Sequence, residues 1–407
     1  MKAKTLYATI ISIILMAATF NSMAQTFTNY STTNGLPDNF CVGGIAVDTN
    51  NNVWVGTAAG IAKFDGTSWL SLTTTQGLVD NYTNCIAVDK NNNIWVGTNM
   101  GISKFNGTTF TTYTIANGLI DNGVKYINVD MNNNLWIGTD VGVSKYNGST
   151  FTNYTVSDGL PTNVITYITS DTLNNKWFAT EMGGISKYNN ATFTTISTIT
   201  VDSLLDNNTF AIAVDKFENK WIGTWMGITK INAAGNWVAN YRTIDGMYND
   251  YVRDLKFDSK GNLWIGLFAD YNLDGGISRF NGTNWISYTT ADGLADKQVI
   301  RLAVDKNDDI WIATGNGVSK LTSPSAISVN NQERISVYPN PVSDYLFIQL
   351  KNHTTQFTIS DITGKTISHH IISENSNKID VSNLSPGVYL LQIIGKTETS
   401  SVKFVKQ

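Results

Sequence analysis

Short apolar runs alternate with polar stretches rich in Asp, Asn and Gly through most of this chain. The segment "NNNIWVGTNMGISKFNG", residues 91–107, shows the pattern: one apolar run contains a Trp and ends in a Gly-Thr step, and a second closes at Asn-Gly. Nearly the same segment stands at 50–66 and again at 132–148. Runs of β-branched and aromatic residues between turn residues predict β-strands, and their recurrence predicts a repeat architecture.

The repeat occurs seven times, and each copy contains one Trp at an equivalent position. An Asp stands six residues before each Trp, and the position three before the Trp mostly holds a residue that tolerates a left-handed backbone. The Asp is suited to accept hydrogen bonds from the N–H groups of the turn. The Trp residues are Trp54, Trp95, Trp136, Trp177, Trp221, Trp264 and Trp311; the Asp residues are Asp48, Asp89, Asp130, Asp171, Asp215, Asp258 and Asp305; the turn positions are Asn51, Asn92, Asn133, Asn174, Glu218, Gly261 and Asp308.

Each unit contains four predicted strands, which in the second unit are Thr83 to Val88, Ile94 to Thr98, Ile102 to Phe105 and Phe110 to Thr114. The second strand is apolar on both faces, and the residue two past its Trp is Gly or Ala. A sheet with one face in water would alternate apolar and polar residues, so both faces of each unit need cover from a neighbour. We therefore predict an all-β protein with a seven-bladed β-propeller over residues 25–321.

The two ends of the propeller are predicted to share one blade. The seventh unit ends at Lys320-Leu321 without the aromatic fourth strand that closes the other units. A segment of that type, "TFTNYS", stands instead at 26–31. We expect this segment to complete the seventh sheet.

The N-terminus has the features of a secretory signal peptide. Lys2 and Lys4 precede an apolar stretch, and Ser22 and Ala24 supply small residues three and one before a cleavage point. We predict a signal peptide over residues 1–24, cleaved between Ala24 and Gln25. The apolar stretch is too short for a transmembrane anchor, so we expect no membrane span.

Composition narrows the choice of partners. The 407 residues are 42% hydrophobic and 15% charged, with a formal net charge of -4. Since no basic run follows the first few residues, we expect no nucleic-acid partner. Cys41 and Cys85 lie at non-equivalent points of neighbouring units, which leaves a disulfide and two buried thiols both open.

The turns of the repeat resemble the start of a calcium loop, Asp-x-Asn-x-Asn, as in "DKNNN". They lack the Gly and the distant bidentate Glu that such a loop requires. A turn role explains the Asp without an ion, so we expect no metal and no cofactor.

The run "GLPDN…D…NNVWVGT…GIAKFDG" is similar to the two-component regulator propeller repeat. The resemblance covers about residues 26 to 321 and implies a seven-bladed propeller of the kind found in periplasmic sensing domains, many of which detect polysaccharide fragments. Those receptors continue into a membrane span and a histidine kinase. We expect neither in this chain, so the resemblance does not extend to signalling.

The C-terminal part resembles the type A sorting domain of type IX secretion, a small Ig-like β-sandwich. We assign residues 322–327 to a linker and 328–407 to this domain. Alternating strands and Pro or Gly turns agree with a sandwich. The resemblance implies a partner in the type IX secretion machinery and a location outside the outer membrane, secreted or at the cell surface. The residues that match the sorting signature are Tyr338, Pro339, Asn340, Pro341, Asp361, Gly364, Lys365, Pro386, Gly387 and Tyr389.

A catalytic propeller is the rival class, since some propellers of similar design act as lyases. All three His residues of the chain, His353, His369 and His370, fall in the sorting domain, which removes the commonest proton carrier from the propeller. Arg253 and Asp254, in the inner strand of the sixth unit, are candidates to line the pore for acid-base chemistry or to form an ion pair with each other. We identify no catalytic constellation and expect a protein that is not an enzyme.

Binding is expected where the repeats differ. The loop between the second and third strands is short in most units, but it contains an aromatic residue in the fifth and is longer in the sixth. Aromatic side chains beside carboxylates and amides suit sugar rings, and they equally suit a protein partner or a plain packing role. The candidate ligand-binding residues are Trp225, Met226, Tyr248, Asn249, Asp250, Phe268, Asp270, Tyr271 and Asp274.

These observations favour an exported, non-enzymatic recognition module for a glycan or a protein. A propeller lyase or hydrolase that works without His on an extracellular polymer is the second hypothesis. A structural surface scaffold with no soluble ligand is the third.

Overall fold

The computed structural model describes residues 26–198, 204–269, 273–322, 336–338, 341–349, 355–361, 365–372, 378–394 and 399–407. The predicted signal peptide and its cleavage point lie outside these residues, as does the predicted linker apart from Thr322. The chain divides into two compact units between Pro324 and Ser325, and each is described by itself.

The first unit contains seven four-stranded antiparallel sheets, as the repeat predicts for a seven-bladed β-propeller. In the first six blades the strands run in chain order from the central channel outward. The seventh blade has three consecutive strands in that order and takes its outer strand from the N-terminus. The strands, in chain order, are β1 Thr26–Tyr30, β2 Gly44–Val47, β3 Val53–Thr57, β4 Gly60–Phe64, β5 Trp69–Leu72, β6 Thr83–Val88, β7 Ile94–Thr98, β8 Ile102–Phe105, β9 Phe110–Tyr113, β10 Val124–Val129, β11 Leu135–Thr139, β12 Val143–Tyr146, β13 Phe151–Tyr154, β14 Ile165–Ser170, β15 Lys176–Thr180, β16 Gly184–Tyr188, β17 Phe193–Ile196, β18 Thr209–Val214, β19 Lys220–Thr224, β20 Gly227–Ile231, β21 Trp237–Tyr241, β22 Val252–Phe257, β23 Leu263–Leu267, β24 Gly276–Phe280, β25 Trp285–Tyr288, β26 Val299–Val304, β27 Ile310–Thr314 and β28 Gly317–Thr322.

Short 3-10 turns lead from outer strands to the next blade. In the second blade the outer strand ends at Tyr113, one residue earlier than predicted, because Thr114 caps the following turn through its side chain. Asn117 accepts a hydrogen bond from the Thr114 backbone in return, a reciprocal capping box. The 3-10 turns are Thr32–Asn34, Thr74–Gln76, Ile115–Asn117, Val156–Asp158, Thr243–Asp245 and Thr290–Asp292.

The N-terminal strand closes the ring, as predicted. β1 pairs antiparallel with β28, with Thr26 opposite Thr322 and Tyr30 opposite Val318. The ring of Tyr30 stacks on Trp311 of the same blade with centroids 5.7 Å apart, and it also contacts Phe64 of the first blade at 5.1 Å. One side chain therefore ties the last sheet to the first.

The Asp six residues before each Trp fixes both the turn and the indole. Its Oδ1 accepts the backbone N–H of the residue four positions later, the turn role predicted from the sequence. Its Oδ2 accepts the Nε1–H of the Trp at 2.9 to 3.1 Å in all seven blades. The buried indole N–H is thereby satisfied, as a buried polar group requires.

The residue two past each Trp makes room for the next blade. A Cβ added at Gly97 would lie 2.5 Å from Cγ1 of Val124, and one added at Gly138 would lie 2.6 Å from Cγ2 of Ile165. Val124 and Ile165 are the first residues of the next inner strands. A larger side chain at these glycines would push neighbouring blades apart, because a close-packed core has no space to absorb it.

The turn residue three before each Trp has a positive φ at all seven predicted positions, from 60° to 83°. At six of the seven junctions its side chain also accepts a hydrogen bond from the turn of the preceding blade. The pairs are Thr49 with Asn92, Lys90 with Asn133, Met131 with Asn174, Thr172 with Glu218, Ser259 with Asp308 and Lys306 with Asn51. Gly261, which belongs to the junction of the fifth and sixth blades, has no side chain to make this bond.

The two cysteines are free and buried. Burial raises the pKa of each thiol to about 12, so both are protonated at neutral pH. Of the two alternatives left open by the sequence, the structure has two buried thiols.

The second unit is a small β-sandwich. One sheet has three strands and the other four, and Leu346 and Ile379 of the first share a buried cluster with Phe357, Leu391 and Phe404 of the second. The strands are β29 Ser336–Tyr338, β30 Tyr345–Gln349, β31 Thr355–Asp361, β32 Thr366–Ile372, β33 Lys378–Asp380, β34 Gly387–Ile394 and β35 Thr399–Lys406.

The predicted sorting residues lie mainly at turns of this sandwich. Asp361 Oδ1 accepts the Lys365 backbone N–H at 3.1 Å where β31 turns into β32. The Tyr389 hydroxyl donates to the backbone oxygen of Ser385 at 2.7 Å, a contact of the kind found at corners of Ig-like sandwiches. Pro386 is exposed beside Gly387, and Pro341 is exposed before β30. Tyr338 belongs to β29, and Pro339, Asn340 and Gly364 lie outside the described residues.

Candidate functional site

Six of the seven inner strands carry a register shift at their second residue. In the sixth blade, for example, Val252 pairs with Leu267 and Asp254 with Gly266, which leaves Arg253 between them unpaired. A bulge of this kind redirects the side chain of the extra residue. The unpaired residues are Asn84, Lys125, Thr166, Phe210, Arg253 and Ile300.

All six bulge residues line one cavity at the mouth of the central channel, together with Val42 of the first blade. The cavity has a volume of about 240 Å³, the liquid volume of roughly eight water molecules. Residues at one structurally equivalent position thus form a ring in which nearly every member differs chemically. Such a ring suits selective recognition, because the frame is constant and only its lining varies.

The charged side chains at the mouth leave a small positive excess. Lys125, Arg253 and Arg301 are cationic, and Asp140 and Glu181 are anionic. Lys125 forms an exposed ion pair with Asp140 at 3.0 Å. The charges outside that ion pair are the two guanidinium groups and the exposed carboxylate of Glu181, which together leave one positive charge in excess.

Arg253 is the least satisfied of these groups. Its Nε is shielded from solvent and has no hydrogen-bond partner among the described residues. Burial, followed by the charge of Arg301, lowers the pKa of Arg253 to about 10. Arg301 is itself held in place, because its Nη1 donates to the backbone oxygen of Arg253 at 3.1 Å and its guanidinium lies over Tyr126 and Tyr167.

Asp254 lies deeper in the channel and is fully buried. Its ion-pair partner is Lys256, with Oδ1 and Nζ 3.0 Å apart, rather than Arg253. Its Oδ2 accepts the backbone N–H of Leu302 in the next blade at 2.8 Å. Lys256 also donates to the Tyr167 hydroxyl, so Asp254 and Lys256 form a closed network that links three blades.

An aromatic cluster lies beside the cavity. The ring of Trp225 stacks on Phe210 with centroids 5.3 Å apart and planes inclined by 13°, and it contacts Tyr251 at 6.0 Å. Trp225 keeps 49% of its surface exposed despite these contacts. Phe210 belongs to both the cavity and the cluster, so the two features form one continuous surface, which we call the channel-mouth site.

The other predicted binding residues have mixed roles. Asn249 is buried, and its Nδ2 donates to the backbone oxygens of Phe268 and Asp274 at 3.1 and 2.7 Å. Asp250 accepts the backbone N–H of Thr243 at 2.7 Å. These two side chains hold the loops of the sixth blade together.

The remaining predicted residues are more accessible. Tyr248 and Met226 are exposed, and Asp274 pairs with Lys297 at 3.3 Å on the surface. Asp270 and Tyr271 lie outside the described residues.

Sequence reasoning did not identify Phe210 and Tyr251, because neither lies in a loop of unusual length. A signal was present: the second residue of each inner strand varies strongly while the rest of the repeat is nearly constant. The bulge that directs this residue to the channel-mouth cavity is visible only in the structure.

A larger cavity of about 410 Å³ lies at the opposite end of the strands, between the fifth and sixth blades. Phe217, Lys260, Gly261 and Phe280 are among its lining residues. It coincides with the junction where Gly261 supplies no bridging side chain.

Within the described ranges, no group of three or more His, Cys, Asp or Glu side chains is placed to hold a metal ion. The same part of the chain contains no helix that is long and apolar enough to span a bilayer.

Two family models match the chain. The two component regulator propeller model matches residues 35–59 and 77–100, and the secretion system C-terminal sorting domain model matches residues 336–407. No curated protein matches at a significant level.

Solved structures share the fold at low sequence identity. The extracellular domain of BT3049 from B. thetaiotaomicron, a hybrid two component system, is 20% identical with a TM-score of 0.64, covering 94% of this chain and 57% of that one. PorZ of Porphyromonas gingivalis, an essential surface component of the type-IX secretion system, is 18% identical with a TM-score of 0.62, covering 92% of this chain and 60% of that one. The chain thus spans less than two thirds of the length of either protein.

A third neighbour corresponds to the propeller alone. The virginiamycin B lyase of Staphylococcus aureus, in an inactive His-to-Ala form with quinupristin, is 15% identical with a TM-score of 0.59 and covers 73% of this chain and 99% of that one. The sorting domain assigns the protein to the cell surface or the secreted fraction. The chain therefore contains a seven-bladed β-propeller whose first two units match the two component regulator propeller model, followed by a domain that matches the secretion system C-terminal sorting domain model.

Proposed function

We propose that this exported propeller is a non-enzymatic recognition module that binds a glycan or a protein at the channel-mouth site. The observation that carries the proposal is the continuity of the bulge-lined cavity with the exposed Trp225 stacked on Phe210. A half-exposed indole held flat by a second ring offers a stacking platform at little cost in conformational entropy. Six inner strands, together with Val42 of the first blade, then supply different side chains to a single opening.

The sorting domain supports the first step of this function, which is delivery. We infer that it engages the type IX secretion machinery, since the family model covers residues 336–407. The fold neighbours among surface and extracellular domains agree with a recognition role outside the cell.

A lyase or hydrolase remains the alternative function. The inactive form of the virginiamycin B lyase carries a His-to-Ala change, whereas this propeller sequence has no His. Asp254, the candidate acid for chemistry in the pore, is fully buried and engaged by Lys256 and Leu302. These facts favour binding over acid-base catalysis.

Screening the full secreted chain on arrays of glycans and of surface proteins tests the proposal. We expect at least one ligand whose affinity falls about tenfold or more in Trp225→Ala, the loss typical of an aromatic hot spot. Trp237→Ala is the matched control, because Trp237 is equally exposed, at 48%, but lies on the outer strand of the fifth blade. Ligands that bind Trp225→Ala at full strength would contradict the site, and turnover of a ligand would favour the enzyme.

A further inference from the structure

We propose that the channel-mouth site is selective for acidic glycans, with Arg253 as the direct donor to a carboxylate or sulfate group and Trp225 and Phe210 as the platform for a sugar ring. The inference rests on the proposed function and names its ligand class.

The unmet hydrogen bond of Arg253 is the first argument. A buried guanidinium N–H without a partner costs free energy that a bound anion would recover. The carboxylate of the adjacent Asp254 does not supply that bond: its Oδ1 accepts from Lys256 and from the Leu255 backbone N–H, and its Oδ2 accepts from the Leu302 backbone N–H.

A second cationic side chain, Arg301, lies next to Arg253. Arg301 is fixed beside Arg253 by its bond to the Arg253 backbone oxygen and by two tyrosine rings. Burial lowers the pKa of Arg253 and the charge of Arg301 lowers it further, because the two cations repel each other, and a bound anion would relieve that repulsion. An oxyanion at the mouth would be attracted by both groups, and Arg253 would offer it planar, directional donors.

The shape and lining of the cavity favour a sugar as the carrier of the anion. The cavity of about 240 Å³ has room for a single ring, and Phe210 connects it to the Trp225 platform. On the rim, Asn84 donates a hydrogen bond to the Asn99 side chain, and the Thr166 hydroxyl donates one to the Thr209 backbone oxygen. Their oxygens remain acceptors suited to sugar hydroxyls.

The exposed carboxylate of Glu181 limits where the anion can lie. It belongs to the fourth blade, two blades from Arg253 in the sixth, and repulsion by this carboxylate favours an anion on the Arg253 side of the mouth. Trp225 of the fifth blade contacts Tyr251, the residue before the strand that carries Arg253, so the platform lies next to that strand. The ring and its acidic group are therefore placed next to each other, as in a hexuronate or a sulfated hexose.

A glycan array with carboxylated, sulfated and neutral members tests the inference on the full secreted chain. We expect binding to acidic glycans, with the carboxylated and sulfated sets showing which group is preferred. Titration calorimetry of the strongest acidic glycan should give an affinity that falls with added salt. The affinity should fall about tenfold or more in Arg253→Gln. The loss should be smaller in Arg253→Lys, which keeps the positive charge but not the planar pair of N–H donors.

Lys216→Gln is the matched control, because it removes one positive charge from an exposed side chain at the opposite end of the fifth blade. We expect no change in affinity there, and melting curves will show that each variant is folded. Acidic glycans that bind Arg253→Gln at full strength, or neutral glycans alone on the array, would overturn the inference. Neutral glycans or proteins that need Trp225 would leave the proposed function standing, whereas no ligand at all would overturn both.

Discussion

The Nε1–H of Trp95 donates a hydrogen bond of 2.9 Å to Oδ2 of Asp89, six residues earlier in the chain. The same pair recurs in every blade, so one carboxylate sets the shape of a turn and the orientation of the largest core side chain. Asp89→Asn would present an N–H₂ group to two donors, the Trp95 indole and the Asn93 side chain.

We expect Asp89→Asn to lower the free energy of unfolding by about 1 to 3 kcal/mol, the cost of leaving a buried donor unsatisfied. Urea denaturation measures the change. Asp65→Asn is the matched control, since Asp65 caps an exposed hairpin turn at a position where the next blade has Asn106. Equal stability of the two variants would contradict the role assigned to the Trp–Asp bond.

Ring closure depends on Tyr30, which contacts both Trp311 and Phe64. Tyr30→Ala should lower stability by about 3 kcal/mol, because it opens a cavity at the junction of the last and first blades. Deleting residues 26–33 should lower the melting temperature further, since the outer strand of the seventh blade is then lost. Thr28→Ala, an exposed change in the same strand, should melt like the parent. A deletion variant that also melts like the parent would show that closure does not stabilise the ring.

Acid should destabilise the propeller through the repeat aspartates. Burial acts to raise the pKa of Asp48, Asp130, Asp171 and Asp215, but hydrogen bonds from the following Asn and Trp outweigh it and lower each pKa below its usual value. A folded-state pKa below the unfolded value of about 3.9 adds stability that is complete above that pH and is lost as pH falls through the folded pKa. The melting temperature should therefore be constant from about pH 7 to 5 and fall steeply below about pH 4. A melting temperature that stays constant down to about pH 3 would contradict this.

The junction of the fifth and sixth blades should accept a stabilising substitution. Gly261 has a φ of 83°, no atom lies within 4 Å of an added Cβ, and Asn at this turn position bridges blades elsewhere in the ring. Gly261→Asn should raise the free energy of unfolding by about 0.5 to 1 kcal/mol, through the new bond and a less flexible unfolded chain. Gly107→Asn, also at a positive φ with open space but away from a junction, is the control. If Gly261→Asn is no more stable than the parent, the bridging bonds do not contribute to stability.

The sequence predicted the blades, the closing strand and the seven left-handed turns, because each follows from a periodic pattern of side chains. It did not predict the indole-to-carboxylate bond, since spacing alone does not show which way a side chain points. It also did not reveal that Lys176 and Lys220, which stand where the other five blades have an apolar residue, are buried, with Nζ 3.2 Å from Asp130 and 3.7 Å from Asp171 of the respective preceding blades.

The candidate site was predicted only in part. Trp225 lies at the site as expected, but Asn249 and Asp250 are engaged in holding loops, and Phe210 was missed. Long loops attract notice in a sequence. A ring of single bulge residues does not, because its members are separated by roughly one repeat and meet only when the propeller closes.

The central claim is that one ligand contacts both the aromatic platform and the cationic mouth. A double-mutant cycle tests it most directly, with the affinity of the strongest acidic glycan measured by calorimetry for the parent, Phe210→Ala, Arg253→Gln and the double variant. We expect each single change to weaken binding and the double variant to lose less than the sum of the two. Unchanged affinity in either single variant would contradict it.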